Sequence, residues 1–309
     1  TVHPSPGFDL ASPNGPSMKI YNPLTGLYDG VASTQDPIYQ PKGYMLFVRG
    51  DRSATTFNAP PSATVLRTKG TMFSPQHPPP VHNILTGTAP RTLDCIGNPY
   101  AAAIDLTKLT LNESGGGVQD VFYVWDPLLT SAGNSTYGLG GFQTLTRNGS
   151  AYDVTPGGGS YGPVAQFIQS GQAFFVNAPF QSGSVKFTED AKATGSLLVN
   201  RSGHRNNLAE MRVNLNVLRN GTPVLLDGIR VQFDPVFSPA IDMQDAQKLA
   251  YSAEQISIRS HEKALVVEQR NMPQAADTIF LEMKQMRAQT YRFDIALNNL
   301  QEPGLAAFL

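Results

Sequence analysis

The chain has 309 residues, of which only 15% are charged, and it contains 28 glycines and 24 prolines. So many glycines and prolines exclude a helical bundle, because both residues interrupt helices. The 23 basic and 24 acidic residues leave a net charge of −1, which disfavours a nucleic-acid-binding protein, and no apolar run is long enough for a transmembrane helix.

The first part of the chain contains short apolar segments separated by loops that are rich in glycine and proline. Segments of this kind are typical of strands in antiparallel sheets. Residues 101–109 are expected to form one or two helical turns. The predicted strands are residues 44–48, 64–68, 121–125, 142–146, 172–176 and 184–188.

A change in composition near residue 205 predicts a domain boundary. The first 200 residues contain 23 charged residues and 43 glycines and prolines, whereas the last 109 contain 24 and 9. Residues 200–207 are polar and aperiodic, as is typical of a linker. We therefore expect two modules, residues 1–205 and 206–309.

The second module alternates apolar and polar residues, a pattern typical of half-buried strands. Asn220-Gly221 and Asp227-Gly228 are predicted turns, and residues 242–250 are a predicted short helix with Asp242 as its N-cap. The pattern favours an all-β fold of two consecutive antiparallel, jelly-roll-like β-sandwiches with long loops and one or two short helices. The predicted strands are residues 211–217, 229–233, 256–259, 265–268, 278–283 and 291–297.

The end of the chain bears on whether the second sandwich is complete. Residues 305–309 begin another apolar element, and no polar residue ends it. A sandwich that stops early leaves an unpaired strand edge. We therefore expect the native polypeptide to extend beyond Leu309, or another chain to donate a strand to this sheet.

Three features that suggest chemistry have simpler structural interpretations. Cys95 is the only cysteine, so no internal disulfide forms, and a small buried apolar residue is expected there. Residues 157–162 match the letters of a dinucleotide-binding fingerprint, but a predicted strand follows them where the fingerprint requires a helix. His77 and His82 flank three prolines with no Cys, Asp or Glu nearby in sequence, and we expect loop histidines on a surface turn.

Three acidic residues are weak candidates for calcium ligands. Asp234, Asp242 and Asp245 carry the oxygen atoms that this cation prefers. Their spacing matches no EF-hand loop, and the N-cap role already accounts for Asp242. No catalytic motif is present, so the sequence predicts no enzyme, no catalytic residue and no cofactor other than possible calcium.

Aromatic residues are weak candidates for glycan binding. Tyr137, Tyr152 and Tyr161 lie in predicted loops near glycines and offer flat apolar faces with a polar tip. Trp125 has two open interpretations, a platform for a sugar ring or a core residue. Ordinary loop or core positions explain the same residues without a ligand.

Several phrases occur in an order that resembles one protein family. Residues 96–105 (IGNPYAAAID), 122–127 (FYVWDP) and 169–176 (QSGQAFFV) are similar to the C-terminal region of large surface proteins of Bacteroidetes-type bacteria. Those proteins are cargo of the type IX secretion system. The further phrases around Gly43-Tyr44 and Asp234-Pro235, and at residues 242–249 (DMQDAQKL) and 276–279, are similar to the same family.

The resemblance implies an extracellular or cell-surface protein of a Gram-negative bacterium. Its partner would be the secretion machinery of the outer membrane, engaged through a sorting tail beyond this chain. The expected function is a non-enzymatic structural or adhesive segment, and the alternative is a carbohydrate-binding module of a secreted glycan-degrading protein. Glycans or a strand-donating chain are the other expected partners.

Overall fold

The computed structural model shows an all-β protein built from several antiparallel sheets. No helix among the described residues is long and apolar enough to cross a membrane. The structure describes residues 10–11, 15–38, 41–48, 62–63, 65–67, 69–70, 81–84, 93–113, 115–129, 140–162, 164–194 and 208–300.

The described strands are short up to residue 193 and long after residue 208. In chain order they are β1 (Leu10–Ala11), β2 (Gly15–Pro16), β3 (Met18–Asn22), β4 (Leu27–Gly30), β5 (Tyr44–Leu46), β6 (Val81–Ile84), β7 (Leu93–Gly97), β8 (Ala103–Asp105), β9 (Thr110–Leu111), β10 (Val121–Asp126), β11 (Gly141–Asn148), β12 (Ala151–Thr155), β13 (Val164–Ala165), β14 (Phe167–Ile168), β15 (Ala173–Asn177), β16 (Gly183–Lys186), β17 (Lys192–Ala193), β18 (Ala209–Arg219), β19 (Thr222–Phe233), β20 (Ala246–Gln247), β21 (Gln255–Ser260), β22 (Lys263–Arg270), β23 (Leu281–Lys284) and β24 (Tyr291–Asn298).

The chain divides into two compact units. The first contains Thr1–Phe122 and Gln166–Leu198, and the second contains Tyr123–Ala165 and Val199–Leu309. The second unit therefore includes the predicted second module together with an earlier segment of the chain. The predicted linker lies outside the described residues, and the boundary near residue 205 stays a prediction.

The first unit contains short, mostly antiparallel strands and buried apolar residues. β3 pairs with β4 and β5, β7 with β15, β8 with β14 and β17, and β16 with β6 and β9. One turn of 3₁₀ helix, Leu106–Lys108, matches the helical turns expected within residues 101–109, and Asp105 caps it by accepting a hydrogen bond from the Thr107 N–H at 2.9 Å. Residues buried in this unit include Ile96, Ile104, Phe122, Phe174 and Phe187.

The second unit contains a large sheet with the strand order β23-β21-β22-β19-β18-β24, in which β20 also pairs with β22. Its central hairpin joins β18 and β19 through Asn220 and Gly221, whose positive φ angles of 49° and 79° suit the tight turn that the sequence predicts. β19 pairs in parallel with β22, whereas the other pairs are antiparallel. The strands β10 to β13 belong to a second sheet, in which β11 and β12 form a hairpin.

The predicted helix over residues 242–250 is wrong. Its residues form a turn followed by β20, which pairs with β22. The Asp242 carboxylate accepts a hydrogen bond from the Gln244 N–H at 2.8 Å. This bond is the one expected of an N-cap, but here it stabilises a turn that no helix follows. Asp245 is buried and bonded to the N–H of Gln269 at 2.8 Å, which holds the segment against β22.

The predicted turn at Asp227-Gly228 is also wrong, because both residues lie inside β19. The Asp227 carboxylate is buried and accepts a hydrogen bond from the Ile256 N–H at 2.9 Å. The register of β18 against β19 shifts between Leu215 and Asn216, directly beside this dipeptide, so it marks a bulge in a continuous strand.

The predicted strand over residues 64–68 is not seen in its described part. Val65 and Leu66 are 71% and 61% exposed and lie outside any strand. The other predicted strands appear with shifted ends; the last of them before β24 begins at Leu281 and not at residue 278.

Candidate functional site

A cleft in the second unit is the candidate site. The hairpin of β21 and β22 turns at His261 and Glu262, both with positive φ, and the segment that follows β22 returns to form β23 beside β21. The cleft between these elements has a volume of about 410 Å³. We call it the Glu268 cleft; its lining includes Ile258, Ser260, Glu268, Arg270, Met272 and Phe280.

Glu268 is the unusual group of this cleft. It is only 7% exposed, and its Oε2 atom has no hydrogen-bond donor among the described residues. Arg270 forms a loose ion pair with it, with Nη1 3.7 Å from Oε2. A buried carboxylate oxygen without a donor is costly, so it points to a ligand that supplies one.

The other polar groups of the cleft balance its charge. Two arginines, Arg259 and Arg270, and two carboxylates, Glu268 and Asp277, line it. The Asp277 carboxylate accepts a hydrogen bond from the Gln274 N–H at 2.9 Å, which fixes the turn on which it lies. The site therefore offers donors and acceptors without a strong net charge.

Apolar surface lies beside these polar groups. Ile258 is buried in the core of the large sheet, and Met272 and Ile279 pack against that core. Phe280 is 64% exposed at the cleft. A concave site that combines a few polar groups with an exposed aromatic ring is suited to a ligand with hydroxyl groups and an apolar face.

Of the calcium candidates, Asp242 and Asp245 lie together, and the Asp242 N–H donates to Asp245 Oδ2 at 2.8 Å. The described residues contain no group of three or more His, Cys, Asp or Glu side chains placed to hold a metal ion. Asp234, Asp242 and Asp245 each accept backbone hydrogen bonds, from Val236, Gln244 and Gln269 respectively. Burial raises the pKa of Asp245 to about 6, which disfavours the ionised form that calcium needs.

The three tyrosine candidates have different positions. Tyr152 was expected in a loop, and this is wrong: it lies in β12, it is 1% exposed, and the Arg147 guanidinium lies 5.3 Å from its ring centre. Its ring has no open face for a sugar. Tyr161 lies in a loop and is partly exposed, with its N–H bonded to Gln143. Tyr137 lies outside the described residues.

The structure leaves both interpretations of Trp125 open, the platform for a sugar ring and the core residue. It is partly buried, and its ring packs edge-to-face against Phe142 at 4.9 Å and Tyr251 at 6.0 Å between ring centres. Cys95 is buried and unbridged, as expected for a small apolar residue. Burial, with a contribution from Asp94, raises its pKa strongly.

The glycine-rich segment at residues 157–162 is a loop, and the strand β13 follows it, as the sequence predicts. Asp126 holds this loop through Ser160, whose hydroxyl lies 2.7 Å from the Asp126 carboxylate. His82 was expected in a loop, and this is wrong, because it lies in β6 opposite Val185. His77 lies outside the described residues.

Glu268 and Arg270 are not among the site residues that the sequence predicts. Residues 265–268 are a predicted strand that ends in an acidic residue. A lone carboxylate directly after Leu265, Val266 and Val267 is the signal that pointed to a buried charge.

The fold and the cleft define the class of this chain, a β-sandwich-like all-β protein with a small polar cavity in its second unit. A family model described as "Domain of unknown function (DUF8693)" matches residues 9–302, so the chain belongs to this family. No curated protein and no solved structure matches the chain.

Proposed function

We propose that this chain is a non-enzymatic adhesive segment of a larger exported cell-surface protein, and that the Glu268 cleft binds a neutral glycan. The observation that carries the binding role is the buried Glu268 carboxylate, which lines an open cavity without a hydrogen-bond donor for Oε2 among the described residues. Oε2 is itself buried, so the Glu268 side chain would turn toward the cleft, where hydroxyl groups of a bound sugar would supply donors and recover part of the cost of burying the charge.

Two further features support a neutral glycan as the ligand. The balance of two arginines and two carboxylates disfavours a strongly charged ligand. The exposed ring of Phe280 offers a flat apolar surface for the carbon–hydrogen face of a sugar ring. This site replaces the tyrosine candidates of the first module as the preferred place for glycan binding.

The cell-surface location rests on the resemblance to secreted surface proteins of Gram-negative bacteria. In that setting the outer-membrane secretion machinery recognises a sorting tail on the parent protein, and this chain contacts the environment. A carbohydrate-binding module of a secreted glycan-degrading protein would use the same cleft. The two roles differ in the other domains of the parent gene, which are adhesive repeats in one case and a catalytic domain in the other.

The test is binding to a panel of neutral and charged glycans, measured on an array and then by calorimetry. We expect a neutral glycan to bind, Glu268→Gln to weaken it by about tenfold or more, and Phe280→Ala to weaken it by a similar factor. Glu262→Gln, an exposed acid on the adjacent turn, is the matched control and should bind like the wild type.

Two results would contradict the proposal. Absence of binding to every glycan, or a Glu268→Gln variant that binds as well as the wild type, removes the adhesive role of the cleft. Turnover of a polysaccharide or peptide that a single carboxylate substitution abolishes would show that the protein is an enzyme.

A further inference from the structure

A lysine and an aspartate face each other in the interior of the second unit. Asp227 on β19 is fully buried, and the Lys248 side chain, which follows β20, is only 6% exposed. Lys248 Nζ lies 2.5 Å from Asp227 Oδ1. The two side chains thus hold a primary amine directly against a carboxyl group.

Aromatic rings surround this pair. Lys248 Nζ lies 5.9 Å from the centre of the Tyr251 ring, and Trp125 and Phe142 pack against the same ring at 6.0 and 6.1 Å. The Tyr251 hydroxyl is buried and interacts with the Asp227 carboxylate. Water has little access here, so ionic groups gain little from hydration.

The reaction needs the uncharged forms of both groups. Burial raises the pKa of Asp227, although Lys248 opposes the shift. In a site of low polarity, transfer of a proton from the ammonium to the carboxylate gives an uncharged amine and an uncharged carboxylic acid. An uncharged lysine amine is a nucleophile, and it is already in contact with the acid.

We propose that Lys248 and Asp227 form an intramolecular amide bond. The nitrogen Nζ attacks Cγ of Asp227, a C–N bond forms, the bond from Cγ to Oδ1 breaks, and Oδ1 leaves as water. That water carries the proton of the acid and one proton of the amine, and the amide nitrogen keeps the other. No oxidant or cofactor is consumed.

Two neighbouring groups are placed to assist the reaction. The Ile256 N–H donates to Oδ2 at 2.9 Å, and Oδ2 is the atom that becomes the amide oxygen and carries negative charge in the intermediate. In this proposal the Tyr251 hydroxyl, which interacts with Asp227, passes a proton from Nζ to the leaving oxygen. Asp227 and Glu254 add to burial in raising the pKa of Tyr251, so this hydroxyl keeps its proton.

The cross-link would give the chain an internal covalent constraint, which a single cysteine cannot provide. Cys95 is the only cysteine, so the chain has no internal disulfide. An amide between β19 and the segment after β20 closes a loop in the unfolded chain and restrains it as a disulfide does. This inference does not depend on the glycan proposal.

The test is the intact mass of the denatured full-length chain, followed by peptide mapping. We expect a mass one water molecule below the sequence mass. Trypsin should fail to cleave after Lys248 and should yield residues 220–230 joined to residues 231–259 as one branched peptide. A cyclic imide at Asp227-Gly228 also loses one water, but it leaves these peptides separate and cleavable at Lys248.

Matched variants separate the cross-link from other losses of water. Lys248→Arg keeps the positive charge but replaces the amine, so this variant should show the full sequence mass. Lys284→Arg, at an exposed ion pair with Glu282, should keep the mass deficit. A wild-type chain with the full sequence mass, or a deficit that persists in Lys248→Arg, overturns the proposal.

Discussion

Arg230 is a fully buried side chain, and Asp153 is the carboxylate that forms an ion pair with it. Its Nη1 atom lies 2.5 Å from Asp153 Oδ2 on β12, and Nη2 bonds to the Thr146 hydroxyl on β11. Burial lowers the pKa of Arg230, although Asp153 opposes this shift. Replacing Asp153 with alanine therefore leaves a buried guanidinium without its ion-pair partner.

The expected loss for Asp153→Ala is about 3–5 kcal/mol of unfolding free energy, because a buried charge loses its partner. For a unit of this size it corresponds to a fall in melting temperature on the order of 10 °C. The double variant Arg230→Met with Asp153→Leu removes both charges and fills the space with apolar atoms. We expect it to lose much less than Asp153→Ala, since no unpaired charge remains.

Denaturant unfolding followed by fluorescence is the assay, because Trp125 is the only tryptophan and lies in the same unit. Glu262→Ala is the control: its ion pair with Arg259 is exposed, and such pairs contribute roughly 0–1 kcal/mol. The reasoning is refuted if Asp153→Ala costs less than about 1 kcal/mol, the upper end for an exposed pair, or if the double variant is as unstable as Asp153→Ala.

Further predictions concern backbone strain, pH and thiol reactivity. Gly140→Ala should destabilise the second unit and shift the emission of Trp125, because a Cβ at Gly140 would lie 2.6 Å from the indole nitrogen and φ is +75°. Gly221→Ala has the same unfavourable φ but open space, so it should cost only about 1 kcal/mol in denaturant unfolding, with unchanged emission. The pKa of Asp245 is raised to about 6, so the folded state retains a proton that the unfolded state releases. The stabilisation from this proton is complete below about pH 4. It falls by roughly 3 kcal/mol as the pH rises through 6. Asp245→Asn should remove that slope from unfolding free energies measured between pH 4 and 7. The Cys95 thiol is buried and its pKa is raised, so a thiol reagent should modify it only at the rate of unfolding, and fast modification of the native protein would contradict this.

The alternating strands of the second module were predictable because one face of each strand packs on a core. Val213, Leu215 and Val217 alternate with polar residues, and all three are buried in the large sheet. The Asn220-Gly221 turn was equally clear, since its φ angles require those residue types. Such signals are local and depend little on distant parts of the chain.

Predictions of turns and loops were wrong where contacts with other parts of the fold outweighed the local sequence preference. Asp227-Gly228 has the composition of a turn, but the partners of its carboxylate are Lys248 and Ile256, more than 20 positions later. Tyr152 was expected to be a loop residue for its glycine neighbour, but it lies opposite Arg147 in a hairpin. The Glu268 cleft could not be predicted either, because the hydrogen-bond donors around Oε2 depend on how the strands fold together.

The outer position of β24 has a consequence for the order in which the second unit folds. The hairpin of β18 and β19 is local and can form as soon as residue 233 is available. β24 pairs with the other side of β18, and Glu210 lies opposite Asn298. During synthesis or export from the N-terminal end, the β18 edge of this hairpin therefore stays uncovered until Asn298 has emerged, 65 residues after Phe233. Over that interval the hairpin is exposed to pairing with other chains, so a partner that shields strand edges would act on this segment before any ligand does.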